Sequence, residues 1–324
     1  MNPGSKIYVA GHRGLAGSAL VRALQRKGYR NIVTRSHAEL DLIDADAVRK
    51  FFEKERPQAA LLAAAKVGGI LANSTYPADF VFQNLAIQTN VIDSAFRAGV
   101  RQLVFLGSSC IYPRDCPQPI KEDYLLTGPL EPTNRPYAIA KIAGIEMCWS
   151  YNRQYGTRYV CAMPTNLYGP GDNYDLQTSH VLPALIRKFH EAKLGNEKTV
   201  TVWGSGTPRR EFLYSDDMAQ ACLHLLELPE GRLEHELGSD RPPLVNVGCG
   251  EDATIAEIAA TVRDVVGSRA DIVYDRTKPD GTPQKRLDVS LLRRLGWAPS
   301  TALREGLRLA YEDFLASSER WQRR

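Results

Sequence analysis

A tyrosine and a lysine lie four residues apart in a segment of helical pattern, Tyr137-Ala-Ile-Ala-Lys141. This spacing puts both side chains on one face of a helix, about one turn apart. A phenol has a pKa of about 10, and a neighbouring ammonium group lowers that pKa by favouring the phenolate. We therefore expect Tyr137 to pass a proton to or from a carbonyl oxygen, with Lys141 lowering its pKa. Ser108, at the end of an apolar strand, is expected to hydrogen-bond the same oxygen.

Three glycines spaced three residues apart join the first apolar segment to the first helical segment. Glycine lets the backbone turn tightly and approach a pyrophosphate, which the free N–H groups of the helix N-terminus then bind. The position of this loop favours a dinucleotide cofactor over the alternative, a tight turn that holds no ligand. The cofactor-binding residues expected in the loop are Gly11, His12, Arg13, Gly14, Leu15, Ala16 and Gly17.

The residues after the second strand predict which cofactor this loop holds. A carboxylate there would accept from the 2′-hydroxyl of NAD, whereas an arginine would pair with the 2′-phosphate of NADP. The segment Thr34-Arg35-Ser36-His37 carries an arginine and no carboxylate, and Arg13 lies in the glycine loop. We therefore expect NADP(H); the alternative is that Arg35 and Arg13 face solvent without a ligand. Lys141 is further expected to hold the nicotinamide ribose.

A thiol lies two residues beyond Ser108, and a histidine opens a later helix. Cys110 can act as a base once a cation or dipole favours its thiolate. His180 can act as an acid because the ordinary pKa of histidine lies near neutral pH. From the residue types alone, a packed strand-end thiol and a plain helix cap are the simpler interpretations. No two of the six cysteines form a Cys-x-x-Cys pair, so the sequence predicts no metal site.

Apolar segments alternate with amphipathic helical segments, which predicts a parallel sheet covered by helices on both faces. The expected fold class is α/β, a Rossmann-type doubly wound parallel sheet with a smaller mixed α/β substrate domain. Strands are predicted over 6–10, 31–34, 59–63, 101–106, 159–163, 199–203, 244–247 and 271–274. The first helix should end near Gly28, and further helices are predicted over 44–55, 79–98, 135–155, 180–192, 215–228, 254–266 and 302–316, with residues 166–176 as a loop.

The chain length sets the domain organisation. Its 324 residues exceed the roughly 250–300 at which a single hydrophobic core stops growing. We expect residues 1–165 to form an NADP-binding domain, to which segments near 211–250 return. The substrate-binding domain is expected to combine residues 166–210 and 251–324.

Composition excludes several protein classes. A hydrophobic fraction of 44% is too high for a disordered chain, and Lys66 and Gly68-Gly69 interrupt the longest apolar stretch, so no membrane span is expected. The first residues lack the pattern of a signal peptide, which favours a cytoplasmic protein. The net charge is only +4, and the basic tail Arg320, Arg323 and Arg324 is expected to be a solvated end, so no nucleic-acid partner is expected.

Motifs spread over nearly the whole chain carry a family resemblance. They are Gly11-His-Arg-Gly14, Ala64-Ala-Lys-Val-Gly-Gly-Ile70, Leu106-Gly-Ser-Ser-Cys-Ile-Tyr-Pro113, Glu131-Pro-Thr-Asn134, Pro136-Tyr-Ala-Ile-Ala-Lys-Ile-Ala-Gly144, Met163-Pro-Thr-Asn-Leu-Tyr-Gly-Pro170, Trp203-Gly-Ser-Gly-Thr-Pro208 and Lys278-Pro-Asp-Gly-Thr-Pro283. Together they resemble the extended short-chain dehydrogenase/reductases that act on nucleotide sugars, and among these the enzymes that form GDP-L-fucose.

The resemblance implies conversion of GDP-4-dehydro-6-deoxy-D-mannose to GDP-L-fucose, by epimerisation at C3 and C5 and NADPH-dependent reduction at C4. It assigns Cys110 and His180 as base and acid of the epimerisation, and it implies a homodimer formed through helices 79–98 and 135–155. In this family an arginine occupies the position that Lys188 holds here. The further contacts implied are Pro164, Asn166, Leu167 and His180 to the cofactor and Lys188, Trp203, Arg210 and Asp280 to the substrate.

Two alternatives stay open at this point. The first is a single-function enzyme of the same family, a GDP-sugar 4-reductase or a nucleotide-sugar epimerase. Cys110 and His180 discriminate against a plain reductase, which needs neither. The second is a catalytically silent nucleotide-binding protein, against which the intact set of Ser108, Tyr137 and Lys141 argues.

Overall fold

Strands form where short runs of apolar residues can be buried on both faces of a sheet. The computed structural model describes residues 1–238, 240–278 and 280–317, without the side chains of residues 70 and 71. Pro279 of the last sequence motif and the basic tail lie outside these residues. The strands are β1 (Ile7–Ala10), β2 (Ile32–Val33), β3 (Ala59–Leu62), β4 (Gln102–Leu106), β5 (Arg158–Pro164), β6 (Asn166–Tyr168), β7 (Thr199–Trp203), β8 (Arg209–Arg210), β9 (Phe212–Tyr214), β10 (Leu244–Val247), β11 (Ala253–Thr254), β12 (Asp271–Asp275) and β13 (Gln284–Lys285).

Four of the helices between them begin with a capping side chain or a proline in the first two positions. Asp44 caps the second helix as predicted, its carboxylate accepting from the backbone N–H of Ala47. The helices are α1 (Leu15–Arg26), α2 (Ala45–Glu55), α3 (Ile70–Thr75), α4 (Pro77–Arg97), α5 (Arg135–Tyr155), α6 (Val181–Gly195), α7 (Ser215–Glu227), α8 (Arg232–Leu237), α9 (Ile255–Val266), α10 (Ser290–Arg294) and α11 (Leu303–Ala316).

Six of the strands form one parallel sheet in the order β10-β5-β4-β3-β1-β2. The chain leaves β1 toward β2 on one side and returns through β3 on the other, so the direction of winding changes between β1 and β3. Such a switch point opens a crevice at the carboxyl ends of the strands, where α/β sheets bind ligands. Gly11 follows β1 and Ser108 follows β4 at this edge.

Helices cover both faces of the sheet. Leu20 of α1 and Leu226 of α7 belong to the buried cluster on one face, and Phe52 of α2 and Ile145 of α5 belong to the cluster on the other. The predicted fold class, a Rossmann-type doubly wound parallel sheet, is therefore confirmed.

A third buried cluster lies outside the sheet and joins α6, α9 and α11, with Phe189, Val262 and Phe314 among its members. Two short parallel pairings tie distant segments together here: β6 pairs with β9, and β13 pairs with β8 so that Lys285 lies opposite Arg210. No helix among the described residues is both long enough and apolar enough to span a membrane.

Candidate active site

The predicted tyrosine, lysine and serine meet at the carboxyl edge of the sheet. Tyr137 is half-buried in the first turn of α5, and the Lys141 Nζ lies 5.7 Å from the centre of its ring. Ser108 precedes a 3-10 turn over Ser109–Ile111, and its hydroxyl oxygen accepts from the backbone N–H of Cys110 at 3.3 Å. The arrangement places two hydroxyl groups and one amine around the mouth of the crevice.

Burial determines the proton affinities of this trio. It raises the pKa of Tyr137, the charge of Cys110 adds to the rise, and a hydrogen bond with Ser108 opposes it. Burial also lowers the pKa of Lys141 to about 7. The prediction that Lys141 lowers the pKa of Tyr137 does not hold here, because the Lys141 Nζ donates to the carbonyl of Leu106 at 2.8 Å and lies over the Phe105 ring at 4.7 Å.

We expect the buried Lys141 amine to lower the stability of the fold. Its side chain is buried, at 3% exposure, with one backbone carbonyl as hydrogen-bond partner. We predict that Lys141→Met raises the free energy of unfolding by about 1–3 kcal/mol, because an apolar side chain of similar volume replaces a buried amine. The same variant is expected to lose reductase activity.

The stability gain of Lys141→Met should depend on pH. The folded protein binds a proton at Lys141 less readily than the unfolded chain, whose lysine pKa is 10.5. Lys141 therefore lowers the free energy of unfolding of the wild type most strongly below about pH 7. This loss of stability becomes smaller as the pH rises toward 10.5. Urea unfolding at several pH values measures it; a variant less stable than the wild type at pH 7 contradicts it.

Cys110 contacts two polar groups that the sequence analysis did not select. The Asn134 side-chain nitrogen lies 3.2 Å from the Cys110 Sγ, and the Lys285 Nζ lies 4.0 Å from it. Asn134 ends one of the quoted motifs and Lys285 follows another by two residues, which is the only hint that the sequence offers.

His180 occupies the N-cap position of α6, but its side chain caps no backbone N–H. His180 is therefore a helix cap by position, and its ring makes no capping hydrogen bond. Solvent reaches the ring, yet the surrounding protein excludes enough water to lower the pKa of His180. Within the described chain no hydrogen bond joins His180 to Ser108, Cys110 or Tyr137.

The glycine loop is shaped to accept an anion. Gly11 has a φ of +84°, and a Cβ there would lie 2.7 Å from the backbone nitrogen of Ala64. A Cβ on Gly17 would overlap the carbonyl oxygen of Gly11, so both positions require glycine. Gly14 is the N-cap of α1, whose first turn carries neither an acidic residue nor a capping side chain, and its N–H groups are left for a ligand. Within this loop His12, Leu15 and Ala16 are half-buried, and Arg13 is exposed.

The corner after β2 is more acidic than predicted. Arg35 donates to Glu55 at 2.6 Å and to the carbonyl of Thr34 at 2.7 Å, while Arg13 makes no ion pair with any described residue. Glu39, which the sequence analysis missed, accepts from the backbone N–H and hydroxyl of Ser36. These hydrogen bonds, with the charges of Arg35 and Arg13, lower the pKa of Glu39.

Three further predicted cofactor contacts lie where the sheet meets the smaller part of the chain. Pro164 ends β5, where it pairs with Val247. Asn166 and Leu167 lie in β6 rather than in the predicted loop, and the Asn166 amide donates to the carbonyl of Glu211 at 2.9 Å. These residues therefore line the same end of β5 as the crevice.

The predicted substrate residues form a cluster around an exposed indole. Trp203 is 62% exposed, and the ammonium groups of Lys188 and Lys278 lie 5.5 and 5.4 Å from its ring centre. Lys188 also donates to the carbonyl of Thr201 at 3.0 Å, whereas Arg187 pairs with Glu191 instead.

Asp280 and Arg210 lie at the other end of this cluster. The Asp280 carboxylate accepts from the backbone N–H and hydroxyl of Ser205 at 2.6 and 2.8 Å. Its charge opposes the burial that lowers the pKa of Arg210. A base or sugar with attached phosphates would meet one flat aromatic surface and several cations here.

Comparison with known proteins agrees with this geometry. Residues 7–248 match the NAD dependent epimerase/dehydratase family. The chain is 56% identical to GDP-L-fucose synthase 1 of Arabidopsis thaliana, over 96% of this chain and 93% of the relative. It is 53% identical to GDP-L-fucose synthase of Escherichia coli (strain K12), over 98% of each.

A solved structure shares the same fold. It is a GDP-D-glycero-L-gluco-heptose synthase from Campylobacter jejuni, determined in the presence of NADPH. It is 38% identical to this chain with a TM-score of 0.92, covering 97% of this chain and 99% of that one.

Proposed function

The chain belongs to the NAD dependent epimerase/dehydratase family, and we propose that it converts GDP-4-dehydro-6-deoxy-D-mannose to GDP-L-fucose with NADPH. The observation that supports this proposal is that Ser108, Cys110 and Tyr137 lie together at the carboxyl edge of the sheet, with Lys141 beside Tyr137 on α5. Ser108, Tyr137 and Lys141 serve reduction at C4. Cys110 and His180 serve epimerisation at C3 and C5.

The reduction half follows from the position of the hydroxyl groups. Ser108 donates a hydrogen bond to the C4 carbonyl oxygen and Tyr137 gives that oxygen a proton as C4 is reduced. The raised pKa of Tyr137 keeps the phenol protonated until then. Lys141, one turn along α5, holds the nicotinamide ribose.

The glycine cradle fits NADP(H), because only glycine fits at positions 11 and 17 and the N-terminus of α1 lacks any acidic residue. Gly11, Gly14 and Gly17 would hold the pyrophosphate, with Arg13 and Arg35 at the 2′-phosphate. When bound, NADPH supplies the hydride that reduces C4. Pro164, Asn166 and Leu167 would position the nicotinamide end beside Tyr137.

The epimerisation half uses the acidity of the carbons beside the ketone. The Cys110 thiolate takes a proton from the carbon and becomes a thiol, leaving an enolate whose oxygen Ser108 and Tyr137 stabilise. Protonated His180 then returns a proton to the opposite face and becomes neutral. Exchange with water resets both groups before the second centre is inverted.

The substrate's nucleotide end fits the indole cluster. Trp203 offers a flat surface for the base or sugar, and Arg210 offers a bidentate partner for a phosphate. Lys188 contributes a point charge where relatives carry arginine, and Asp280 accepts hydroxyl groups.

The proposal is tested by incubating the purified protein with GDP-4-dehydro-6-deoxy-D-mannose and NADPH. NMR spectroscopy of the product should identify GDP-L-fucose. A product reduced at C4 but not inverted would instead establish a single-function 4-reductase. Binding without NADPH consumption would establish the silent nucleotide-binding protein.

Cofactor choice gives a second test. Arg35→Asp is predicted to weaken NADPH binding by about 10- to 100-fold, the equivalent of one charge-assisted hydrogen bond, and to affect NADH far less. Because Arg35 also pairs with Glu55, Arg13→Gln serves as a companion variant that breaks no ion pair among the described residues. Equal losses for both cofactors would show that these arginines do not contact the 2′-phosphate. Fluorescence titration measures both constants.

We propose the same domain division, location and assembly as the sequence predicts. β10 pairs with β5 in the main sheet, which supports assigning residues near 211–250 to the NADP-binding domain with 1–165. The six cysteines are unpaired, in keeping with a cytoplasmic protein. Phe82 on α4 and Ile139 on α5 are 62% and 43% exposed, which supports a homodimer through these two packed helices.

A further inference from the structure

We infer that Lys285 and Asn134 act as positioning residues that orient the Cys110 sulfur and stabilise the negative charge it carries as the base that removes a proton from the sugar. The inference rests on the proposed function for the identity of that sugar. The physical evidence for it is the set of groups that contact the Cys110 sulfur.

The sulfur of Cys110 faces two nitrogen donors from different parts of the chain. The Asn134 amide nitrogen lies 3.2 Å away and enters from the turn before α5. The Lys285 Nζ lies 4.0 Å away and enters from β13. Three separate segments therefore converge on one thiol, which a packing role would not require.

The two donors differ in what they can bind. An amide can present either its nitrogen or its oxygen to sulfur, so Asn134 alone would suit a thiol or a thiolate. An ammonium group carries only donors and a positive charge, so Lys285 stabilises the thiolate. The Asn134 Oδ1 is buried with no hydrogen-bond partner among the described residues, which leaves the sulfur as the main polar contact of that amide.

The charges around the pair reinforce this direction. Lys285 forms no ion pair with a carboxylate in the part of the chain that the structure describes, so its charge is free to act on the sulfur. Tyr137 of α5 and Cys116 of the same loop also face this pocket, and the charges of Lys285 and Asp115 act on the pKa of Cys116 in opposite directions. Arg210 lies opposite Lys285 on the neighbouring strand β8.

One strand pairing brings together Lys285, which contacts Cys110, and Arg210, which is proposed to bind the substrate. Parallel pairing of β13 with β8 fixes Lys285 beside Arg210, a residue assigned to the substrate phosphate. A competing role for Lys285 is therefore direct phosphate binding. Measurements on the enzyme without substrate distinguish the two roles, because Lys285 can stabilise the Cys110 thiolate there but has no phosphate to bind.

Alkylation of Cys110 by iodoacetamide tests the inference without sugar or cofactor. Mass spectrometry of the Cys110 peptide follows this thiol alone across a pH series. Lys285→Met is expected to react about tenfold more slowly than the wild type at pH 7, with its half-maximal rate moved to higher pH. Lys285→Arg, which keeps the charge, should stay close to the wild type. Identical profiles for Lys285→Met and the wild type would overturn the inference.

Asn134→Asp provides an isosteric variant that adds a negative charge beside the sulfur. It should also move the alkylation profile to higher pH, and an unmoved profile would remove Asn134 from the role. In turnover, Lys285→Met should lower the rate of deuterium incorporation from D₂O while leaving KM unchanged. A raised KM with a wild-type alkylation profile would assign Lys285 to phosphate binding instead. Failure of the proposed function would show differently, as a wild type that makes no GDP-L-fucose.

Discussion

Tyr137→Phe is expected to lower the rate of NADPH oxidation by about 10²- to 10⁴-fold, the range typical of a lost general acid. The substitution removes one hydroxyl group and keeps the ring, which packs edge-on against Phe80 at 6.4 Å between centroids. Binding of NADPH should be unchanged, because Lys141 and the glycine loop are intact. Stopped-flow absorbance at the NADPH band measures the rate.

A matched substitution separates proton transfer from packing. Tyr151→Phe removes a hydroxyl group from the same helix. That hydroxyl lies away from the crevice and donates a hydrogen bond of 2.8 Å to Asp93. This control should keep its turnover. Normal turnover of Tyr137→Phe would show that another group protonates the C4 oxygen.

Loss of Cys110 or His180 should stop inversion without stopping reduction. Cys110→Ser and His180→Gln are each expected to slow deuterium incorporation at C3 and C5 by about 10²- to 10³-fold. Both variants retain Ser108, Tyr137 and Lys141, so they should still oxidise NADPH and release a GDP-6-deoxyhexose with unchanged C3 and C5. Mass spectrometry and NMR of the product distinguish these outcomes.

Cys116→Ser is the natural control for the thiol. Cys116 is a half-buried cysteine of the same loop with no assigned role, and burial raises the pKa of its thiol. Its variant should incorporate deuterium at the wild-type rate. If Cys110→Ser and His180→Gln both matched the wild type as well, neither residue would belong to the epimerisation.

Most of the helices and strands could be predicted from patterns of residues that lie close together in the sequence. The parallel sheet, the long helices α4 and α5 and the Asp44 cap follow from apolar runs and capping residues that lie close in sequence. The short helix α3 was missed because six residues between Gly69 and Tyr76 give no recognisable period. β6 was predicted as loop because its partner β9 lies more than forty residues away.

Less of the candidate active site than of the fold could be predicted from the sequence. Tyr137 and Lys141 could be paired from a helical spacing, but the depth of their burial, which sets both pKa values, depends on packing around the whole crevice. Lys285 reaches Cys110 only because β13 pairs with β8. Glu39 was not predicted because it lies just beyond the segment 34–37, the only one considered for an acidic residue. Its carboxylate reaches back and accepts from the backbone N–H of Ser36.

The central claim is that one crevice inverts two carbons and reduces a third. Its most direct measurement is turnover of GDP-4-dehydro-6-deoxy-D-mannose with NADPH in D₂O, followed by NMR of the product. We expect GDP-L-fucose that carries deuterium at C3 and C5 and hydrogen from NADPH at C4. A product reduced at C4 with no deuterium at C3 or C5 would contradict it.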